Sequence, residues 1–190
     1  SKASAISAVA VTIDHQLQSG SGAQAEKVEK QLKEMGYGKV LTQKVVVTTE
    51  SGLEAGARDA RYQALSACAA QEKATKIFLG HTRDDQAETV LLGLARGSGT
   101  RSLSGMAIEN GIYNRPLLHI TRAQTVSACN ELGIDAWNDP HNGNTEFSRV
   151  RVRTEVLPLM EEKLGPGISA ALARSASILR DDADALDEIA

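Results

Sequence analysis

Short apolar runs alternate with amphipathic stretches in the first half of the chain. The β-branched run at 6–13, ISAVAVTI, predicts a buried strand, and the runs at 39–47 and 75–80 predict two more. The stretches at 23–38 and 52–74 carry an apolar stripe with helical spacing and predict helices. Strands that alternate with helices of this length are typical of βαβ units, so we predict a parallel sheet.

Polar side chains follow two of these predicted strands. Asp14 and His15 come directly after the first strand, and His81 follows the third. Ligands of open parallel sheets bind beyond the carboxyl ends of the strands. We therefore expect these side chains to face one crevice.

A third helix is predicted to begin near Asp84. Asp85 and Glu88 are three residues apart and project to one side of it, close to His81. Carboxylates at such a crevice hold either Mg²⁺ beside a phosphate or the ammonium of an amine substrate. Asp84 alone is interpreted as a complement to the helix dipole. The predicted apolar side, which would pack on the sheet, consists of Ala87, Leu91, Leu94 and Ala95.

The glycine-containing turn RGSGTRS follows that helix. Its backbone N–H groups, together with Arg96 and Arg101, are candidates for anion binding, although a Gly-Ser-Gly turn is more often a plain helix C-cap.

A basic stretch, SRVRVR, lies further along the chain. Arg149, Arg151 and Arg153 fall on one side if this stretch is extended, and neighbouring like charges repel. A phosphate-rich partner would relieve the repulsion, which favours contact with a nucleic acid.

The second half of the chain is predicted to be mainly helical. A helix is predicted from about Thr121, and the chain after Thr154 is predicted to be helical apart from the GPG break at 165–167.

Composition narrows the class of protein. The net charge is −3 and aromatic residues make up only 3%, which disfavours a surface that binds single strands by stacking. The two cysteines, Cys68 and Cys129, form no CxxC pair, which argues against zinc and iron–sulfur sites. No apolar run approaches the roughly 18 residues of a membrane span. We predict a cytoplasmic protein without membrane contact.

The string HTRDDQAET, followed by LLGLARGSG and SGM, resembles the tRNA(Ile)-lysidine synthetases, a branch of the PP-loop ATP pyrophosphatases. Further matches, in the same order, are VTIDH at 11–15, EAGARDARYQAL at 54–65, RPLL at 115–118 and the R-x-R run before EVLPLM. The resemblance implies a Rossmann-like α/β fold with a parallel sheet flanked by helices. We expect a nucleotide-binding catalytic region at 1–150 and a helical extension at 151–190.

The resemblance also implies an activity. Members of the family adenylate the wobble cytidine of tRNA(Ile) with ATP, and free lysine then displaces AMP. ATP and Mg²⁺ are the implied cofactors, and a tRNA(Ile) with a CAU anticodon and free L-lysine are the implied partners, with a homodimer among the expected assemblies. The implied catalytic residues are Arg61, His81, Asp85 and Glu88, with Asp85 also a metal ligand. The implied ATP contacts are Asp14, His15, Arg96, Gly97, Ser98 and Gly99, and the implied tRNA contacts are Arg149, Arg151 and Arg153.

Three positions depart from the family pattern. The phosphate loop Ser-Gly-Gly-x-Asp-Ser has no counterpart before ISAVAVTI, and we expect it in a part of the protein that precedes this sequence. Val150 stands where the family often has asparagine, and Ser102 where it usually has glycine.

Two other interpretations of the function stay open: another PP-loop enzyme, such as a tRNA thiolase, and a non-catalytic RNA-binding remnant. A dinucleotide-binding oxidoreductase is excluded because no G-x-G-x-x-G follows a strand.

Overall fold

The computed structural model describes residues 7–18, 20–48 and 52–189, apart from the side chain of residue 141. They form two compact units, of which the first ends at Ile77 and the second begins at Phe78. The functional division at residue 150 stays a prediction. No helix in the described ranges is long and apolar enough to cross a membrane.

The first unit is built on a parallel pair of strands. Strand β1 (Val9–Asp14) pairs in register with β2 (Lys39–Lys44), and helix α1 (Ser21–Glu34) connects them. Helix α2 (Leu53–Glu72) follows. The buried side chains that hold this unit together are Ala25, Leu65, Cys68 and Ala69. The predicted βαβ order is therefore confirmed, although residue 6 of the predicted first strand lies outside the described residues.

The second unit is mainly helical. Strand β3 (Ile77–Phe78), at the junction of the two units, is the only part of the predicted strand at 75–80 that forms. It is an edge strand of a small sheet of order β3-β5-β4, in which β4 (Glu109–Asn110) and β5 (Tyr113–Asn114) are antiparallel. The helices are α3 (Arg83–Ala95), α4 (Thr100–Leu103), α5 (Arg122–Glu131), α6 (Ser148–Arg151), a π-helical turn (Val152–Val156), α7 (Leu157–Leu164) and α8 (Ile168–Ile189), with a 3₁₀ turn at Pro140–Gly143. The architecture is α/β, with a parallel strand pair and flanking helices.

Helix α3 packs against α8, and its buried face differs from the predicted one. Leu94 and Ala95 are exposed, so their predicted place in the core is wrong. The buried positions of α3 are Gln86, Ala87, Glu88, Val90 and Gly93. This face is rotated by about one residue from the predicted stripe. It packs against α8, whose buried residues are the small Ala176 and Ala183, and it carries the polar side chains of Gln86 and Glu88, which a search for apolar positions leaves out.

Candidate functional site

The first turn of α3 is built by a capping box. The Asp85 backbone N–H donates to Thr82 Oγ1 at 3.4 Å, while Asp85 Oδ2 accepts from the Thr82 backbone N–H and from Thr82 Oγ1, both at 2.7 Å. These bonds satisfy donors at the helix start that otherwise have no partner. Asp85 is therefore held at a defined rotamer, and its second oxygen, Oδ1, faces away from the cap.

Asp84 has a wider role than the predicted complement to the dipole. Its Oδ2 accepts from the backbone N–H of Arg122 at 2.8 Å, at the first residue of α5. Thr121 caps that helix in a second capping box with Gln124. Asp84 therefore joins the N-termini of two helices, and this brings Arg122 next to Asp85.

Five charged side chains meet beside these helix starts, and we call them the arginine–carboxylate cluster: Asp85, Glu88, Arg122, Arg149 and Arg153. Arg153 donates from Nε to Glu88 Oε1 at 2.6 Å and from Nη2 to Glu88 Oε2 at 2.9 Å. Its Nη2 also lies 3.4 Å from Asp85 Oδ1, to which Arg122 Nη2 donates at 3.0 Å. Arg149 Nη1 lies 3.6 Å from Glu88 Oε2. Two carboxylates are thus surrounded by three guanidinium groups.

Burial makes this cluster more than a surface ion network. The Glu88 side chain has no exposed surface, and Asp85 and Arg153 retain only 14% and 21%. Burial alone would raise the pKa of the Asp85 carboxyl, but the Thr82 hydrogen bonds and the charges of Arg122 and Arg153 outweigh it, and the pKa is lowered. Burial alone would likewise lower the pKa of Arg153, but the bond to Glu88 raises it. Asp85 and Arg153 both stay charged at neutral pH.

The basic stretch is helical, so the condition under which all three arginines would share one side, an extended chain, is not met. Residues 148–156 form α6 and the π-helical turn, which places Arg149 and Arg153 on the side that faces α3. Arg151 points elsewhere and donates to Thr145 O at 2.7 Å and to Glu146 O at 2.9 Å. The repulsion inferred from the sequence is relieved within the chain, because carboxylates from a helix some sixty residues earlier supply the opposite charge. The alternating pattern fits a helix as well, since positions four apart share a helical face.

The Gly-Ser-Gly turn is a helix C-cap. Gly97 has a φ of +65°, its N–H donates to Leu94 O at 2.9 Å, and the N–H of Ser98 donates to Gly93 O at 3.2 Å. This is the Schellman arrangement, in which glycine adopts the left-handed conformation without a steric cost. The amides of Arg96, Gly97 and Ser98 are therefore engaged by α3 and do not form the open anion cradle that the sequence suggests.

Arg101, the second basic residue of that turn, also has a different partner from the predicted anion. It donates from Nη1 to Asp184 Oδ1 at 2.5 Å and pairs with the carboxylate of Asp187. Both acids lie on α8. The charge of Arg101 is thus satisfied within the second unit.

The remaining predicted site residues are distributed between the two units. In the first unit Asp14 is buried, and its Oδ1 accepts from the backbone N–H of Gln16 at 2.9 Å; this bond is the main reason that the pKa of Asp14 is lowered. His15 is half-buried, and Arg61 is exposed on α2. In the second unit His81 is half-buried directly before the cap residue Thr82. The structure therefore brings together Asp85, Glu88, Arg149 and Arg153, while the single crevice shared by Asp14, His15 and His81 stays a prediction.

Arg122 is the member of the cluster that the sequence prediction missed. The sequence T-R-A-Q at 121–124 is a capping box that puts an arginine at the first helical position. A cation is unfavourable there because of the positive end of the helix dipole. That conflict is the local signal that Arg122 pairs with carboxylates elsewhere in the fold.

A model of the PP-loop domain family matches residues 1–160. The chain belongs to the PP-loop domain family. This agrees with the resemblance carried by HTRDDQAET, whose Asp85 and Glu88 provide the acids of the cluster.

Three curated relatives of this PP-loop protein carry the same name. The tRNA(Ile)-lysidine synthase of Streptomyces coelicolor is 54% identical over 180 residues, covering 93% of this chain and 51% of the relative. Those of Thermobifida fusca and Rhodococcus erythropolis are 52% and 51% identical, covering 93% and 95% of this chain and 55% of each relative. The chain spans about half the length of the curated relatives it matches.

A solved structure supports the fold. The U34-tRNA thiolase of Methanococcus maripaludis aligns with a TM-score of 0.72 and 15% identity, covering 90% of this chain and 62% of the thiolase. At this identity the match supports a shared PP-loop architecture and nothing about chemistry.

The part of the PP-loop domain that the structure describes offers little to a metal ion. Within residues 7–18, 20–48 and 52–189, no group of three or more His, Cys, Asp or Glu side chains is placed to hold one. Both oxygens of Asp85, the predicted ligand, accept hydrogen bonds from Thr82 and Arg122. Mg²⁺ prefers several oxygen ligands in octahedral geometry, so Asp85 as placed does not fit it.

Proposed function

We propose that this protein carries the catalytic region of a tRNA(Ile)-lysidine synthase, an ATP-dependent ligase that joins lysine to the wobble cytidine of a tRNA(Ile) with a CAU anticodon. The observation that carries the proposal is the identity of 51–54% with proteins of that name along 93–95% of this chain. A cytoplasmic location follows from that substrate. The expected homodimer stays a prediction.

The reaction has two steps. The C2 oxygen of cytidine attacks the α-phosphate of ATP and pyrophosphate leaves; the deprotonated amine of lysine then attacks C2, and AMP leaves with the oxygen. The site must therefore neutralise negative charge that develops on phosphate and hold a cationic amino acid until it loses a proton. The arginine–carboxylate cluster has three guanidinium groups, which suit the first task, and two carboxylates, which suit the second.

The two carboxylates are proposed to have different tasks. Glu88 is fully buried and bonded to Arg153, so we assign it to positioning Arg153 and Arg149 rather than to contact with substrate. Asp85 keeps some exposed surface, so it is the candidate partner for the lysine ammonium, which would replace a guanidinium of Arg122 or Arg153. His81 and Arg61 stay proposed catalytic residues on the strength of the resemblance.

ATP is proposed to contact the ends of β1 and α3, through Asp14 and His15 and through the turn Arg96–Gly99. Because three amides of that turn are engaged by α3, we assign its contact chiefly to the side chains of Arg96 and Ser98. Mg²⁺ stays a prediction from the resemblance, and no step here depends on it.

The tRNA contact is proposed to rest mainly on Arg151. Arg149 and Arg153, the other two predicted contacts, already face carboxylates. Arg151 is exposed and, within the described residues, bonds only neutral oxygen atoms, so its charge stays available to a backbone phosphate.

The proposal is tested with the full-length protein, ATP, lysine and a tRNA(Ile) transcript. We expect AMP and pyrophosphate in equal amounts and a modified nucleoside that contains lysine. Release of ADP and orthophosphate would exclude a PP-loop reaction. Binding of tRNA without ATP–pyrophosphate exchange would favour the RNA-binding remnant, and ATP-dependent sulfur transfer would favour a thiolase.

A further inference from the structure

The segment Ser104–Ala107 has no regular secondary structure, yet side chains bond its backbone residue by residue. Arg180 Nη2 donates to Ser104 O and Gly105 O, both at 2.8 Å. Gln86 donates to Met106 O at 3.0 Å and accepts from the Met106 N–H at 2.8 Å. Arg115 Nη1 donates to Ala107 O at 2.9 Å. These side chains replace the partners that a helix or sheet would supply.

The path of this segment is closely defined. Gln86 and Arg115 are each only 5% exposed, and Ser104 is 1% exposed. Gly105 has a φ of +61°, and a Cβ at that position would lie 2.7 Å from Gln86 Oε1. Any other residue there would be strained by the positive φ and would require the Gln86 amide or the backbone to shift.

The short helix α4 runs directly into this segment. Side chains of both α4 and α8 form the contact between these two helices. From α8, Arg180 bonds the two carbonyls that follow α4. From α4, Arg101 pairs with Asp184 and Asp187 of α8 and donates to Ala183 O at 3.2 Å. Each helix thus contributes one arginine to the contact, so a shift of α4 relative to α8 would break these bonds.

We propose that Arg180 is a positioning residue for the turn Arg96–Gly99, acting through α4. Gly99 is the residue that precedes α4, and the N–H groups of Ser102 and Leu103 donate to its carbonyl at 3.0 and 3.1 Å. A shift of α4 therefore moves the turn directly. The inference rests on the proposed function, in which this turn contacts ATP. It makes α8 part of the nucleotide site rather than only an extension.

The test compares Arg180→Met with Arg180→Lys in the full-length enzyme. Arg174→Met is the matched control, because Arg174 is an exposed residue of the same helix whose side chain makes no hydrogen bond or ion pair within the described residues. Hydrogen exchange of the amides at 102–105 is measured together with the kinetics for ATP and lysine. Loss of a single hydrogen-bonding group changes an equilibrium by about tenfold.

We expect Arg180→Met to speed exchange at 102–105 and to raise the KM for ATP by about tenfold, with kcat and the KM for lysine within about twofold. Arg180→Lys should restore most of the difference, because an ammonium can donate to both carbonyls. Arg101→Gln, which removes an exposed contact and should fold normally, should act in the same direction by a smaller factor. The control should match the wild type.

Unchanged exchange at 102–105 in Arg180→Met and Arg101→Gln would overturn the positioning role. Faster exchange with an unchanged KM for ATP would overturn the nucleotide part of the inference and the assigned role of Arg96–Gly99. In that case lysidine formation by the same protein would leave the proposed overall function standing, so the two failures are distinguishable.

Discussion

Arg153 holds the carboxylate of Glu88 through two parallel hydrogen bonds, Nε to Oε1 at 2.6 Å and Nη2 to Oε2 at 2.9 Å. This bidentate geometry is the strongest form of the arginine–carboxylate contact. It joins the π-helical turn to α3 across 65 residues of sequence. A substitution of Glu88 is therefore expected to change the stability of the protein as well as its activity.

Substitution of Glu88 by glutamine should destabilise the protein. The Glu88 side chain is fully buried against Arg153 and Arg149. Removing one partner of a buried pair costs about 3 kcal/mol, because the other charge is left without compensation. Urea unfolding of Glu88→Gln measures this loss. Glu162→Gln is the control, since Glu162 is exposed and its pair with Lys163 should contribute less than about 1 kcal/mol. Equal stability of both variants would contradict the burial argument.

Substitution of Asp85 by asparagine should lower stability in a pH-dependent manner. The pKa of Asp85 is lowered in the folded protein, so its charge stabilises the fold above the unfolded pKa of about 3.9 and this contribution is lost as the pH falls through the folded pKa. The difference in unfolding free energy between wild type and Asp85→Asn should be largest near neutral pH and shrink below about pH 4. Asp182→Asn, at an exposed position of α8, is the control substitution measured in parallel. A difference that is constant from neutral to acid pH would show that the charge of Asp85 does not contribute.

The two capping threonines should differ in their effect on the cluster. Loss of an N-cap hydroxyl costs about 1 kcal/mol, so Thr82→Ala and Thr121→Ala should both lower the free energy of unfolding. Thr82 also holds Asp85 Oδ2, so Thr82→Ala should reduce activity more than Thr121→Ala at equal stability loss. Thermal unfolding and turnover measured on the same preparations check this. A greater activity loss in Thr121→Ala would point to Arg122, rather than Asp85, as the sensitive group.

Arg151 should contribute to tRNA binding with a defined dependence on salt. Removing one phosphate contact lowers the slope of log affinity against log salt by about 0.7–0.9. We expect this change for Arg151→Ala, with the affinity for ATP unchanged, and no change for Arg174→Ala.

Arg151 also bonds the carbonyls of Thr145 and Glu146, so Arg151→Lys separates loop support from charge. The lysine variant should keep the wild-type salt slope. A wild-type slope in Arg151→Ala would move the RNA path away from this residue.

Local sequence was sufficient for the elements whose signals are short-range. The β-branched runs and the helical apolar spacing predicted the parallel pair β1–β2 and the helices between and after them. The start of α5 at Thr121 follows from a capping box, whose partners are only three residues apart. A helix C-cap was one of the two interpretations of the turn that contains Gly97, for the same reason. Such features depend on backbone sterics and on bonds within one turn of the chain.

The tertiary structure alone decided where the charges are placed. Alternating arginines fit a strand or a helix equally well, and the choice depends on carboxylates that α3 presents from 65 residues away. The burial of Glu88 and the pairing of Arg101 with α8 likewise need contacts between distant elements. A charged side chain has no fixed environment in a sequence pattern, because burial and opposite charge arise only when remote segments pack together.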